Sequence, residues 1–475
     1  MAATVGADVL SVHETHRFPN GAVPVGDSLY WDVLGIYREV LVGIRTIARS
    51  GPLHGIGIDS WAIDYGLLDR DGTLLGNPHS HRDSRTNGMP TRAEETISAR
   101  DLYAITGLQQ LTFNTIYQLL SEIGSARLDR AETLLLLPDL LSYWLTGEIG
   151  AERTNASTTG LYDVCARDWA VDLVERVGLP HGILPPVREP GSVIGGLRPA
   201  VTADLGIEGY APVIAVGSHD TASAVVGVPA ESESFAYISS GTWSLVGLEL
   251  DAPVLTEAAR VADFTNEGGV DGTVRFLKNV MGLWVLSECL RAWGDRGDLA
   301  DLGSLLNAAE EGEGLRTVVD INDASLLAPG TSTDPMPERV VALARAVGEP
   351  TPDSPAAIVR CVLDSLALAY ARHLRTAAEI ADKRFDVVHI VGGGAQNELL
   401  CQLTADAVGV PVLAGPTEAA ALGNVLVQAR TLGVGLPDLA AMRSLVRRTH
   451  EVRRHDPAPG GRWDAAQERV GHHSV

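Results

Sequence analysis

A chain of 475 residues with 60 acidic and 37 basic side chains carries a formal net charge of -23, a field that repels nucleic acid and anionic membrane surfaces and excludes both as partners. Its 45% hydrophobic and 20% charged content, with 50 glycines and 25 prolines, suits a globular protein too long for one ordinary core, so two domains are expected. Four scattered cysteines (Cys165, Cys289, Cys361 and Cys401) lack zinc-site or redox spacing, and the histidines form no ligand pattern, so no metal-binding motif is read. No apolar run is long enough to cross a membrane, and "MAATVGADVL" has no basic region leading into an apolar one. The expectation is a cytoplasmic protein with reduced thiols.

In chain order, "GIGIDS" (55–60) reads as a buried strand, followed by "AIDYGLLDRDGTLL" with a hairpin-like "DRDG" turn. Helices are expected in "RDLYAITG", "FNTIYQLLSEIG" and "AETLLLLPDLLSYWLTG", the last stopped by Gly147. "APVIAVG" (211–217) is a short buried strand, and "SHDTASAVVGV" (218–228) sets Asp220 just past its carboxyl end. Asp is a favoured helix cap. It is also what a catalytic site needs, because open α/β sheets hold ligands beyond the carboxyl ends of their strands.

"FAYISSGTWSLVGLEL" (235–250) reads as two strands around a tight turn, and "NVMGLWVLSECLRAW" has helical spacing. Asn279, which opens that run, reads as an N-cap. The run "SPAAIVRCVLDSLALAYARHLRTAAEIA" is a long helix. The unit "FDVVHIVGGGAQNELLCQLTADAVGVPVLAGPTEAAALGNVLVQA" reads strand, glycine turn, helix, strand, helix, with Asn397 able to cap the first helix. Its triple glycine matches neither a Walker A loop nor a full dinucleotide fingerprint. Asp59, Asp64, Arg82, Asp83 and Arg85 read by default as ion-paired surface charge, with a general acid/base pair as the other reading. The polar end, including "GHHSV", reads as a loosely held tail.

The strings "GIDSWAIDYGLLD", "HRDSRTNGM", "LPDLLSYWLTG", "SHDTASAV", "SSGTWSLVG", "TNEGG", "LKNVMGLW" and "IVGGGAQN" run in this order from residue 55 to 397. Together they resemble the FGGY carbohydrate kinases over most of the chain, from "ETHRFPNG" at 14 to "AALGN" near 424. The resemblance implies an α/β fold of two actin-like (ribonuclease H-like) domains of the hexokinase/Hsp70 type facing a central cleft. The expected domains are a sugar-binding one over 1–225 and an ATP-binding one over 226–450, with a tail over 451–475.

The implied activity is ATP-dependent, Mg²⁺-assisted phosphorylation of a ketose at its C1 hydroxyl. L-rhamnulose is the ketose implied, with L-fuculose or xylulose as sister alternatives, and the protein a monomer or homodimer. By resemblance Asp220 is the general base, and His219, Thr221 and Asn279 bind the sugar with Ala62 at the pocket edge. Thr242, Ser287 and Gly393 are the ATP-binding positions by resemblance, and Mg²⁺ supplies positive charge that this acidic chain lacks.

Two residues depart from the family pattern: Ala62 stands where Gly is usual, and Ser287 where Gln is frequent. The resemblance further implies a leading strand that ends in an Asp-x-Gly-x-x-x-Gly-Arg phosphate loop. "DVLSVHETHRF" reads as the second strand, and "MAATVGA" before it is too short for a strand, that loop and a turn. The expectation is a gap in the first sheet, an insoluble or inactive chain, and as a further alternative a sugar-binding remnant.

Overall fold

The computed structural model describes residues 1–207, 209–297, 301–460 and 462–471, and among them the chain divides into two units that alternate along the sequence. The first unit comprises Met1–Gly227, Glu249–Phe276 and Ala419–Thr449; the second comprises Val228–Leu248, Leu277–Glu418 and the chain from His450. The expected boundary at 225 lies two residues from the first crossing, but two later segments, 249–276 and 419–449, return to the first unit.

From residue 212 the elements run β1 (Pro212–Ile214), α1 (Asp220–Val226), β2 (Phe235–Ser240), β3 (Ser244–Leu250), β4 (Thr265–Gly268) and β5 (Val274–Val280). They continue as α2 (Trp284–Asp295), α3 (Pro355–Ala381), β6 (Val387–Val391), α4 (Glu398–Val408), β7 (Val412–Ala414), α5 (Ala419–Thr431) and β8 (Arg453–His455).

In the first unit the opening residues do form a strand. Ala2–Val5 pairs antiparallel with Leu10–His13 across a turn closed by Gly6 N–H to Val9 O at 2.8 Å. Tyr65–Leu68 pairs with Thr133–Leu136, so "TLLL" is a strand rather than the start of a helix. Those leucines face a buried partner strand, and Pro138, with its fixed φ, begins the helix Leu137–Thr146. Gly147 ends that helix at φ 90°, as the glycine stop predicts.

The segment 55–60 makes only isolated parallel bridges, Ile56 with Val213 and Ser60 with His219, where a full strand was expected. Its other edge is covered by helix side chains instead of a strand: the Asn424 amide on α5 donates to Gly57 O at 3.3 Å. The ladders before residue 227 are accordingly two-stranded.

Helices α1 and α5 cross where neither has a side chain in the way. A methyl group on Gly423 would fall on the Ser223 carbonyl, and one on Gly227 would fall on the Ala419 carbonyl. Around this crossing Val216, Val226, Leu422, Leu426, Leu445 and Val446 bury their side chains together.

A seven-stranded sheet runs in the order β4-β5-β3-β2-β6-β7-β8. β2 and β3 form the expected hairpin, β2 pairs parallel with β6 from Phe235↔Val387 to Ser239↔Val391, and β6 pairs parallel with β7. Helix α3 packs along α4, and the strand–turn–helix–strand–helix reading of 386–431 holds element by element.

Residues 453–455 pair antiparallel with β7, and the helix Trp463–Gly471 buries Trp463 and Ala466, so the described part of the expected tail is anchored. "HHSV" lies outside the described residues. Among them no helix is long and apolar enough to cross a membrane.

The α1–α5 crossing makes a stability prediction. Gly423→Ala should destabilise the protein by about 1–3 kcal/mol, the range for overpacking a tight contact, while Gly435→Ala, with nothing within 4 Å of the added carbon, should change little. Urea unfolding of the two variants measures the difference, and equal midpoints would contradict the packing described.

Candidate active site

β1 ends at Ile214, and a fully buried loop carries the chain to Asp220, the first residue of α1. The N-cap position belongs to His219, and no side chain caps the helix, so Asp220 does not serve as the cap. Its carboxylate is about 50% exposed and accepts from the Thr221 hydroxyl at 3.2 Å. His219 and Thr221 on either side are buried.

The loop is held rigidly from two directions. Asp220 N–H donates to Ser60 O and Ser60 N–H to Ser218 O, both at 2.9 Å. Glu152, 1% exposed, accepts from Ser218 N–H at 3.0 Å and Ser218 Oγ at 2.8 Å, and from Thr154 Oγ1 at 2.5 Å. Burial pushes the Glu152 carboxyl up, and these donors pull it back toward the ionised form.

His219 sits against a buried ion pair. Its Nδ1 lies 3.2 Å from Arg275 Nη2 and 3.1 Å from Glu267 Oε2, and Arg275 Nη1 lies 2.9 Å from the same carboxylate oxygen. His219 Nε2 lies 3.6 Å from Asp220 Oδ1. Burial raises the Glu267 carboxyl, but Arg275 and His219 outweigh it, and the group stays below its ordinary range.

Asp59, one residue before the bridged Ser60, is a second carboxylate at this place. Burial, offset by a hydrogen bond from Asn424 and reinforced by repulsion from Asp220, pushes it up to about 7. Asp59 therefore does not behave as ordinary surface charge.

Ala62 follows, half-buried, in a strained turn. Asp64 N–H donates to Ala62 O at 2.9 Å across Ile63 at φ 69°, a conformation that a β-branched residue avoids. The turn is fixed by the buried Asp64 carboxylate, whose Oδ2 receives Trp31 Nε1 at 2.7 Å and Trp61 Nε1 at 2.9 Å, with His81 Nδ1 2.8 Å away. Asp83 and Arg85 are structural: Asp83 accepts from Arg85 N–H at 2.8 Å, and Arg85 pairs with Glu122 at 2.8 Å.

The second unit assembles the other candidates. Because β2 and β6 run parallel, the Thr242 turn and the Gly393 turn leave the sheet at the same edge. Gly392, at φ 84°, lets the second turn pass against the Ser240 carbonyl. Gly241 N–H donates to Trp243 O at 2.9 Å, and the amides of Leu283 and Trp284 donate to Gly241 O and Thr242 O at 3.1 Å, which ties the head of α2 to this turn. Thr242, Gly393 and Ser287, the last in the first turn of α2, are all exposed. Asn397 caps α4 by accepting from Leu400 N–H at 3.0 Å.

Asn279 lies within β5, and α2 begins five residues later with Leu283 at its cap position, so the N-cap reading of Asn279 fails. It belongs to the second unit, three residues past the end of the first. Thus Ala62, His219, Asp220 and Thr221 come together in one unit, and Thr242, Ser287 and Gly393 in the other.

Glu152, Glu267 and Arg275 were not singled out from the sequence. A signal existed for each: an acid beginning the polar "ERTNASTT", the acid inside "TNEGG", and an arginine within the otherwise apolar "TVRFL".

The raised Asp59 carboxyl makes stability depend on pH. The native state binds the Asp59 proton more tightly than the unfolded chain, so stability falls as pH rises from about 4 to about 7 and stays lower above that. Asp59→Asn lacks this loss. Without divalent cations it should gain at least about 1 kcal/mol relative to the parent between pH 4 and pH 8, measured by urea unfolding at each pH. Parallel pH profiles would show that Asp59 ionises normally.

Residues 33–227 match the FGGY family of carbohydrate kinases, N-terminal domain, and residues 236–432 match its C-terminal domain. The chain is 40% identical to a rhamnulokinase of Bacteroides thetaiotaomicron over 96% of its own length and 93% of the relative's. It is 41% identical to one from Pectobacterium atrosepticum over 94% and 88%. In fold it is similar to the gluconate kinase of Lactobacillus acidophilus, with TM-score 0.80, 16% identity and 95% and 91% of the two chains covered. It is likewise similar to Plasmodium falciparum glycerol kinase with ADP, with TM-score 0.76, 16% identity and coverage of 98% and 92%. These likenesses give the chain the two-domain, actin-like architecture of that group. The chain belongs to the FGGY family of carbohydrate kinases and is an ATP-dependent sugar kinase.

Proposed function

We propose that this kinase transfers the γ-phosphoryl group of ATP to the C1 hydroxyl of L-rhamnulose, with Asp220 as general base. The observation that carries the reading is the Asp220 carboxylate, half-exposed beyond a strand end and relieved of capping, on a loop held from both sides. The hydroxyl oxygen attacks phosphorus, its proton passes to Asp220, and ADP leaves. Such a transfer needs positioning and charge neutralisation more than covalent help from the protein. The relatives named rhamnulokinase, about 40% identical over nearly the whole chain, support L-rhamnulose over L-fuculose or xylulose.

In this reading His219, Thr221 and Asn279 bind sugar hydroxyls, and the Ala62 methyl narrows the pocket edge. Thr242 and Gly393 offer backbone and hydroxyl donors to the nucleotide, with the shorter Ser287 on the adjoining helix. Mg²⁺ would enter with the nucleotide and neutralise phosphate charge; among the described residues no group of three or more His, Cys, Asp or Glu side chains is placed to hold it by itself. The four cysteines are free thiols, which suits a cytoplasmic enzyme.

Asp220→Asn should lower turnover by about 10²–10⁴-fold with sugar KM nearly unchanged, measured in a coupled ADP-release assay. Parental turnover by that variant, or equal rates with L-rhamnulose and xylulose, would overturn the assignment of base or substrate respectively. A carbon added at Gly393 meets nothing within 4 Å. Gly393→Val should therefore keep the parental stability to within about 0.5 kcal/mol. It should raise KM for ATP but not for the sugar, because the branched side chain blocks approach to the backbone.

A further inference from the structure

The two turns that carry Thr242 and Gly393 share a buried support. Ser240 and Ser244 face each other at the closed end of the β2–β3 hairpin, with Gly241, Thr242 and Trp243 in the turn between them. Residues paired across two strands put their side chains on one face, and both serines are buried there. Tyr370, midway along α3 and 0% exposed, meets them: its hydroxyl lies 2.6 Å from Ser244 Oγ. The Ser244 hydroxyl donates onward to Ser240 Oγ at 3.4 Å, which commits its one proton and makes Tyr370 the donor to Ser244. Burial pushes the Tyr370 phenol up to about 12, with both serines drawing it down, so it keeps its proton at neutral pH. Ser240 also faces the other turn. A methyl group on Gly394 would fall on the Ser240 hydroxyl, and one on Gly392 on the Ser240 carbonyl.

We infer that Tyr370 is a positioning residue for the nucleotide: through Ser244 and Ser240 it braces the Thr242 turn and the Gly392–Gly394 turn against α3. Three hydroxyls in a dry interior are costly unless each has a partner, and this run of hydrogen bonds supplies one to each. Apolar side chains of the same size would fill the space as well; what the hydroxyls add is direction. They hold the closed end of the hairpin in register with the turn after β6, and so fix the spacing between Thr242 and the Gly393 backbone. Tyr370 itself is fully buried, so it acts on the nucleotide only through the two serines. The inference rests on the reading of both turns as the nucleotide end and involves no residue of the sugar end.

The test is titration of ADP into the full chain with no sugar present, so the outcome does not depend on which ketose is phosphorylated. Tyr370→Phe keeps the ring and removes only the hydroxyl. It should weaken ADP binding about three- to tenfold, the scale of one lost hydrogen bond, and raise KM for ATP while KM for the sugar stays at the parental value. Ser240→Ala should do the same. The double variant should bind ADP no more weakly than the weaker of the two single variants, because both remove one continuous support. Losses that multiply in the double variant would show two independent contacts and overturn the inference. Parental ADP affinity in Tyr370→Phe, with or without a lowered urea midpoint, also overturns it, since the phenol is then purely structural. Gly393→Val separates the two readings. Weakened ADP binding by that variant beside parental binding by Tyr370→Phe rejects only the support, whereas parental binding by Gly393→Val removes the nucleotide site and the inference with it.

Discussion

One buried carboxylate anchors the loop that carries the candidate base. Glu152 has its oxygens engaged by Thr154 and by both the amide and the hydroxyl of Ser218, so the loop after β1 cannot shift without stranding an acid in a dry interior. Breaking such a contact costs the desolvation of the group left behind, which exceeds what the hydrogen bond itself contributes. Asp139 shares this interior, its own carboxyl raised well above normal by burial and by Glu152. His219 and Asp220 inherit their positions from this anchor, from Ser60 on the neighbouring segment, and from the α1–α5 crossing that glycine makes possible.

The charge economy of the site follows from a chain that is acidic overall. Two carboxylates, Asp59 and Asp220, are near enough to repel, and Glu267 is buried close by. Only Glu267 has a fixed cation, Arg275. The first pair is left with its repulsion. The nucleotide candidates in the second unit use a different device: glycine turns and backbone amides at the edge shared by β2 and β6.

Much of the second unit was legible in the sequence, because its signals are local. The hairpin around Gly241, the long helix α3, and the glycine turn followed by an Asn-capped α4 each depend on residues within a few positions of one another. The first unit was harder to read. "TLLL" before Pro138 became a strand because Tyr65–Leu68 lies opposite it, and "GIGIDS" kept only isolated bridges because α5, more than 350 residues later, covers its other edge. Asn279 became a strand residue and His219 the helix cap for the same reason: pairing with distant neighbours outweighed local preference.

The sequence by itself determined the family and the reaction class, since ordered motifs from "GIDSW" to "GGGAQN" carry that information in their wording. Only the tertiary structure decided the electrostatics of the site: that Asp220 is free of capping, that Asp59 is raised beside it, and that Arg275 reaches His219 from 56 residues away. Hydrogen-bond direction and local electrostatics depend on distances of a few ångströms between groups remote in the chain. Those distances are set by packing, not by sequence spacing.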